Sequence, residues 1–440
     1  MESEHNEIRT IAWRELFPWT LIFRSLPVAV SIPVLLLALI GVLATPVGWK
    51  VCQWAMVNPE VIGKSDPVFA EFINEVGSPH VGIFGSTPGK SQGALFGLPV
   101  NGPAVVFHRF TEPFGRMFRQ FSGLRPFLYL LLGGLWTIVV WSFIGVAITR
   151  IAILKYTRNE ALDFNEALRF AWGQLPSCAT ALILPLIGVF LLCILTFFAG
   201  LLMKFDLTFL VVSLFYFVVI ALATVMAVIL LGLAFGWPLT VAAISTEGQD
   251  SFDAMTRSYA YTFQRPLNYA FYALVAIVFG GLCWLVVAQV TGGIENLSYW
   301  STSWGANLGD SDRIKSIREF SMIETNVAAS AAASTSGALA APTTSGLFKT
   351  SQSVLGFWIG LLKSVAVAFL YAQFWCMTAA IYLLLRRDVD ETELDEVFVS
   401  QEQRTFELPP LTSPAGTVAS DGRSSRGEAE TQIHRKDDSE

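Results

Sequence analysis

The stretch closest to a chemical signature is Gly85-Ser-Thr-Pro-Gly89-Lys90-Ser91. A phosphate loop needs a glycine, four residues and then Gly-Lys-Ser/Thr, set between a buried strand and a helix, so that backbone N–H groups ring the phosphates. Here the spacing is one residue short, Phe84 stands where the first glycine belongs, and no parallel-sheet context surrounds it. Nucleotide binding is not expected. Cys52, Cys178, Cys193, Cys283 and Cys376 are far apart, and His5, His80, His108 and His434 are scattered. Three of the cysteines lie in apolar runs, where a thiol behaves as a small hydrophobe. With no metal set and no nucleophile beside a base, neither catalytic residues nor a metal or cofactor is expected, and the chain reads as non-enzymatic. Asn296-Leu297-Ser298 fits a glycosylation sequon, uninformative if the organism is bacterial.

The elements that would position any site are membrane spans. Hydrophobic residues make up 53% of the 440 and charged residues 15%, against roughly 25% charged in a soluble domain. A span needs about 20 apolar residues to cross about 30 Å of hydrocarbon. Six segments qualify: Val28–Trp49, Phe127–Ile148, Ala179–Met203, Leu207–Gly236, Asn268–Val290 and Ser364–Leu385. The first resembles a secretory signal, with Val42-Leu43-Ala44 as a cleavage site, but its long flank and core favour a retained anchor. The fold class is therefore all-α, a polytopic helical membrane protein with the lipid bilayer as its partner and no nucleic acid.

The fourth segment is unusually long. No charge occurs between Asp206 and Glu247, and 40 residues in one helix would reach about 60 Å. Gly232, Gly236 and Pro238 are places to break it. The expectation is a span ending near Gly236 and then a short apolar helix, Pro238–Ile244, which is either a re-entrant element or part of a bent, tilted helix. No ionisable side chain falls inside the six assigned spans. Lys363 lies 23 residues before Arg386, about 35 Å away, so it reaches the membrane surface. Gln373 is the strongly polar side chain at mid-span, suited to a hydrogen bond between helices.

Residues 50–126 and 291–354 form long loops outside, and residues 1–27 a cytoplasmic segment. Phe107–Phe121, with Arg109, Arg116 and Arg119 among phenylalanines, reads as a helix lying on the membrane surface. Asn326–Gly346 is mostly Ala, Ser, Thr and Gly and reads as a linker. Residues 386–440 form an acidic, disordered tail: after Arg387 there are 14 acidic and 5 basic residues, a balance of −9. That tail is a candidate docking segment for a cytoplasmic protein.

A repeat recurs with a shift of 88 residues. Asp163 precedes Phe164, Ala167, Leu168, Ala171, Trp172 and Leu175; Ser251 precedes Phe252, Met255, Thr256, Tyr259, Ala260 and Phe263. Both sets trace one face of a helix behind a good N-cap. Arg169 and Arg257 fall at the same place, and Pro176 and Pro266 follow. The unit is span, amphipathic helix, span, occurring twice in parallel. Phe164, Leu168, Arg169, Phe252, Arg257, Pro238 and Gln373 are the candidate structural or interaction positions.

Ala147-Ile-Thr-Arg-Ile151, Glu166-Ala-Leu-Arg-Phe170, Ser258-Tyr-Ala-Tyr-Thr-Phe-Gln-Arg-Pro266 and Ile381-Tyr-Leu-Leu-Leu-Arg-Arg-Asp-Val-Asp390 carry a resemblance. So do Asp395-Glu-Val and Leu408-Pro-Pro-Leu411. From about Phe114 to Leu411 the chain resembles a family of uncharacterised multi-pass membrane proteins of planctomycete-type bacteria. Glu247 with Arg257-Ser258 is also similar to membrane domains attached to some glycerophosphodiester phosphodiesterases, whose soluble barrel is missing from this sequence. The first resemblance implies a bacterial cytoplasmic membrane and no residue roles.

Two functions fit. The first is a non-enzymatic organising or docking protein, supported by the tail and the amphipathic helices. The second is a transporter of a small solute or lipid, not driven by intramembrane charges, supported by the repeat. Basic residues such as Arg14, Arg24, Arg150, Lys155, Arg158, Arg386 and Arg387 cluster on the side that holds both termini, which predicts a cytoplasmic N- and C-terminus. A cysteine placed at Ser334 should accept an impermeant thiol reagent from outside intact cells, and one at Ser420 should not; the reverse labelling overturns this topology.

Overall fold

The computed structural model describes residues 17–56, 72–73, 76, 102–119, 124–248, 250–306 and 346–392. Two compact units are distinguished, Met1–Phe398 and Val399–Glu440, and all the described residues lie in the first. The nucleotide-loop look-alike, the linker and all but the start of the acidic tail fall outside them.

The described residues are helical and contain no strand. A 3₁₀ turn, Pro18–Arg24, leads into α1 (Ser25–Ala29). Then follow α2 (Ile32–Met56), α3 (Pro103–Arg119), α4 (Leu124–Thr157), α5 (Phe164–Leu202) and α6 (Asp206–Leu214). The rest are α7 (Tyr216–Glu247), α8 (Ser251–Gln264), α9 (Pro266–Ala306) and α10 (Gly346–Asp390). Six of these, α2, α4, α5, α7, α9 and α10, are long and apolar enough to cross a membrane. The protein is an all-α, polytopic helical membrane protein.

Contacts define two ends of the bundle. Arg24 donates to the Tyr156 carbonyl, Glu247 meets Arg386, and Tyr272 donates to Asp388. We call this end proximal. At the distal end Trp49 packs on Tyr129, and Lys363 pairs with Glu295 at 3.2 Å. The helices overrun the apolar segments read from sequence. Residues 291–306 continue α9 and residues 346–354 begin α10, both parts of what reads as an outer loop. The sequon at Asn296 is inside α9.

At the centre stands α10. Every residue from Ala366 to Arg386 is buried, as expected of a helix that is apolar all round. Around it pack α1, α2, α3, α4, α7, α8 and α9. Conversely, the distal halves of α5 and α7 pack on each other and turn Leu191, Phe197, Phe217 and Ile220 outward. In hydrocarbon such faces cost nothing, because lipid tails are as apolar as leucine.

The two repeats are α4–α5 and α7–α8–α9, and they differ in detail. In the first, residues 164–175 are not a separate helix: α5 runs straight through Pro176. In the second, Arg265 leaves the helical region before Pro266 opens α9, the behaviour expected of a residue preceding proline. The second N-cap is Asp250, one residue before Ser251. The inward face of α8 is Ala254, Ser258, Tyr261 and Thr262, so part of the stripe read from sequence, Phe252 and Phe263 included, faces outward.

The expected break at Gly236–Pro238 is also corrected. α7 is one helix through Pro238, and the chain breaks instead at Phe215. Proline removes one helical hydrogen bond. Around it Tyr259 and Tyr269 donate to the carbonyls of Ile229 and Phe235, both at 3.0 Å, and Trp237–Thr246 is wholly buried. The helix thus continues through the proline in a stretch that neighbouring helices cover.

α2 and α4 interlock through two glycines. A Cβ on Gly133 would lie 2.2 Å from the Trp49 ring, and one on Gly48 2.1 Å from the Trp136 ring. Gly133→Ala should therefore cost about 1–3 kcal/mol through overpacking. Gly292→Ala, where a Cβ meets open space, should be neutral or stabilise by up to ~1 kcal/mol. Thermal unfolding of both variants in one detergent checks this; equal midpoints would mean that the notch is not filled.

Candidate functional site

Helix α3 positions the site. Pro103 suits a first helical position, since its missing N–H would have no helical partner there. The start of α3 docks deep in the bundle. A Cβ on Gly102 would lie 2.6 Å from the Gly281 nitrogen, and one on Gly280 would lie 2.4 Å from Pro103 Cγ. Gly280 is the middle of the apolar run of α9. Further along, Val106 is fully buried, and Phe110 sits 4.7–6.2 Å from the rings of Trp141, Trp237, Tyr371, Phe374 and Trp375. Met117 ends in the distal cluster with Trp49, Phe72 and Tyr129. So α3 runs from its contact with the middle of α9 to the distal cluster.

This corrects the surface-helix expectation for the described part of Phe107–Phe121. It also changes the charge count of the interior. The six spans carry no mid-span charge, but α3 brings Arg109, Glu112 and Arg116 in among them. One turn apart on the same face, Arg116 donates to Glu112 at 2.6 and 2.9 Å, an i,i+4 pair that lowers the cost of entering the bundle. Arg116 also lies 4.7 Å over the Phe72 ring, and His108 Nδ1 is 3.7 Å from Glu112.

Between α2, α3, α4 and α10 lies a cavity of about 50 Å³. Trp49, Trp141, Tyr371, Phe110 and Phe72 wall it, and Arg109, Glu112, Thr45 and Thr137 give it polar edges. Two reciprocal bonds fix the wall: Trp49 Nε1 donates to Thr137 Oγ1 and Trp141 Nε1 to Thr45 Oγ1, both at 3.0 Å. Each threonine donates in turn to a carbonyl one turn earlier, Gly133 and Gly41. Trp141 stacks on Tyr371 with centroids 4.4 Å apart and planes 14° apart. Pro46 and Pro113, also in the lining, each leave the carbonyl four residues back, on Val42 and Arg109, without its helical donor.

The proximal end carries a second polar cluster. Gly248, with φ 63°, closes the C-terminus of α7 in the left-handed conformation that glycine adopts freely. The negative end of the helix dipole and Glu247 then draw cations. Arg150 donates to the Ser245 carbonyl at 2.9 Å and lies 4.6 Å over the Phe170 ring. Arg257 and Arg386 reach Glu247 at 2.7 and 3.2 Å, and Tyr382 donates to the same carboxylate at 3.1 Å. Tyr261 donates to Asp390, and Asn268 and Tyr272 donate to Asp388. Burial raises the Tyr261 phenol above its ordinary range, and the Asp390 carboxylate adds to the shift.

The positions singled out from sequence are scattered. Arg257 joins the proximal cluster. Phe164 and Leu168 pack half-buried on the core, Arg169 is exposed, and Phe252 is 62% exposed. Pro238 is buried inside α7, and Gln373 donates to Ser25 at 3.0 Å. None of the seven lines the α3 cavity. Of the residues that do, Arg109 reads from sequence as part of a surface helix, because α3 has that composition. The Glu112–Arg116 pair has the i,i+4 spacing of a helix pair, but the place of α3 is set by Gly102-Pro103 against Gly280-Gly281, far away in sequence.

Comparison with protein-family models, curated proteins and solved structures gives no match.

The proximal cluster predicts unequal costs. Glu247 and Arg386 side chains are 12% and 9% exposed, and Arg257 is 37% exposed. Glu247→Ala strands the buried Arg386 charge and should cost about 3–5 kcal/mol. Arg257→Ala should cost about 1 kcal/mol or less. Denaturation in mixed micelles measures both, and comparable losses would show that the Glu247–Arg386 pair is not the buried one.

Proposed function

We propose that the protein binds and moves a small solute or a lipid, without catalysing a reaction, and that the cavity beneath α3 is its binding site. The observation that carries this reading is Arg109 at the polar edge of an aromatic-walled cavity, on a short helix that begins in mid-bundle. A charge at that depth is costly and is a functional site by default. Two further features support it. The parallel repeats and a short helix that begins in mid-bundle are both architecture that transporters use. A cavity of about 50 Å³ is far smaller than the roughly 300–1,000 Å³ of drug-sized pockets, so the ligand is small or enters by one end only.

The proximal end is assigned to the cytoplasm of a bacterial inner membrane. Arg24, Lys155, Arg158, Arg257, Arg265, Arg386 and Arg387 lie at it, and such residues stay inside. Of the basic residues at the distal end, Arg116 is bonded to Glu112, which weakens its weight in the opposite sense. A docking role through the acidic tail remains the second reading. Its support is that Asp388 and Asp390 tie the start of that tail to α8 and α9.

Reconstitution tests the transport reading. Proteoliposomes should take up labelled phosphate or acetate, or expose an inner-leaflet fluorescent phospholipid to a membrane-impermeant bleach, faster than protein-free vesicles. Arg109→Gln should lower that rate at least tenfold, whereas Trp172→Ala, at a residue 71% exposed, should leave it unchanged. The rate should not respond to a pH or sodium gradient, since no charged side chain falls inside the six apolar segments read from sequence. No flux above protein-free vesicles with any of these probes would leave the docking role as the better reading.

A further inference from the structure

We infer that residues 18–29 form a movable plug in the proximal half of the bundle, latched by the hydrogen bond between Ser25 and Gln373. Its role as a gate rests on the transport reading; its movement does not.

Proline sets the joints. Pro27 has no N–H to offer the carbonyl of Phe23, and Pro33 has none for that of Ala29. The chain forms three pieces in place of one helix: the 3₁₀ run Pro18–Arg24, then α1, then α2, with Val30 and Ser31 between the last two. A 3₁₀ run of seven residues is long, because its hydrogen-bond geometry is poor and runs beyond three or four are uncommon. Such stretches often mark a hinge.

The segment enters from the proximal end. Trp19 meets Phe271, Phe23 meets Phe279 with ring centroids 4.8 Å apart, and Ser25 accepts from Gln373 at 3.0 Å. Phe271 and Phe279 are eight residues apart on α9, about 12 Å along its axis, so the tip stands well inside the bundle. Ile22, Ser25 and Ala29 are fully buried there. From the distal side, α3 reaches the next residue of α9, Gly280. Two interrupted elements thus meet the middle of α9 from opposite ends and share one crossing, an arrangement that transporters place at their sites.

The two are fastened differently. The start of α3 is wedged against the backbone of α9, with no room for a Cβ at Gly102. The plug has the Ser25 bond and a contact from Arg24 to the Tyr156 carbonyl at 3.5 Å, longer than a good hydrogen bond. Gln373 is wholly buried, and its Oε1 has no partner. Turning the amide over would leave its other end without one. A half-satisfied buried amide is costly, and withdrawal of the plug would relieve that cost by admitting water to Gln373.

Hydrogen–deuterium exchange of the full-length protein in lipid nanodiscs tests the movement. Residues 20–29 should exchange together, at least tenfold faster than the buried residues 148–154 of α4. Ser25→Ala should speed exchange of the plug at least threefold, the scale of one hydrogen bond between membrane helices, and leave α4 unchanged. Exchange of the plug as slow as that of α4 overturns the inference, even if Ser25→Ala does not fold. So does simple fraying, with Thr20 and Leu21 exchanging well ahead of Val28 and Ala29. Ser25→Ala speeding exchange throughout the bundle also overturns it, since the bond would then hold the fold and not the plug. Vesicles test the gate. Phe23→Cys with Phe279→Cys, joined by a short reducible thiol cross-linker, should lose the flux of the reconstitution assay and regain it on reduction; Phe279→Cys alone should not respond. A mobile plug without flux refutes transport and leaves the plug standing. Flux that persists through the cross-link refutes the gate and leaves transport standing.

Discussion

The structure depends on excluding hydrocarbon from α10. From Ala366 to Arg386 that helix has no face left for lipid, so neighbours must cover it all round. Four other spans, α2, α4, α7 and α9, supply most of the cover, and α3 closes the part where Tyr371, Phe374 and Trp375 would otherwise meet lipid. Inserting a half-helix there raises a difficulty that a full span avoids. Its first N–H groups have no helical partner and lie where water is scarce. Two features reduce the debt: Pro103 has no N–H, and Val105 N–H bonds the Gly102 carbonyl at 3.0 Å. The flat Gly280–Gly281 surface then lets the backbone of α3 approach α9 closely enough to seal the remainder by packing.

The two polar regions answer different problems. The proximal cluster gathers the C-terminus of α7, the last turn of α10 and the inward face of α8 around Glu247. Ser258 and Tyr261 face inward because their hydroxyls meet Thr240 and Asp390, and this turns Phe252 outward. The distal region is held differently. Trp–Thr bonds and Gly–Trp notches lock α2 to α4, so the wall of the cavity is set before any ligand arrives. Preorganisation of that kind reduces the cost of binding.

What could be read from sequence follows from how strong each local signal is. The six spans were legible because 20 apolar residues in hydrocarbon leave the chain little choice but helix. Their ends were not, since α9 and α10 continue well beyond the apolar runs, through Glu295 and Lys363. Pro238 marked a break that α7 does not make, while Phe215, with no helix-breaking chemistry of its own, marks the real one. For α8, helical periodicity was sound but polarity misled: the inward face is the one that meets partners with hydroxyls and carboxylates. The candidate site was least legible. An amphipathic helix with three arginines is the same object on a membrane surface or inside a bundle. What decides is a glycine pair in a distant span, and no local pattern reveals that match.

Arg150 and Arg109 both turn into the bundle, but only Arg150 is buried. Arg150 is 1% exposed, bonded to the Ser245 carbonyl and laid over Phe170. It ties the C-terminus of α7 to α4, and removing it would open a helix end, so its structural role is sufficient explanation. Arg109 instead lies along a cavity whose wall α2, α4 and α10 already hold in place. It shares that cavity's polar edge with Glu112, which Arg116 bonds from one turn further along α3.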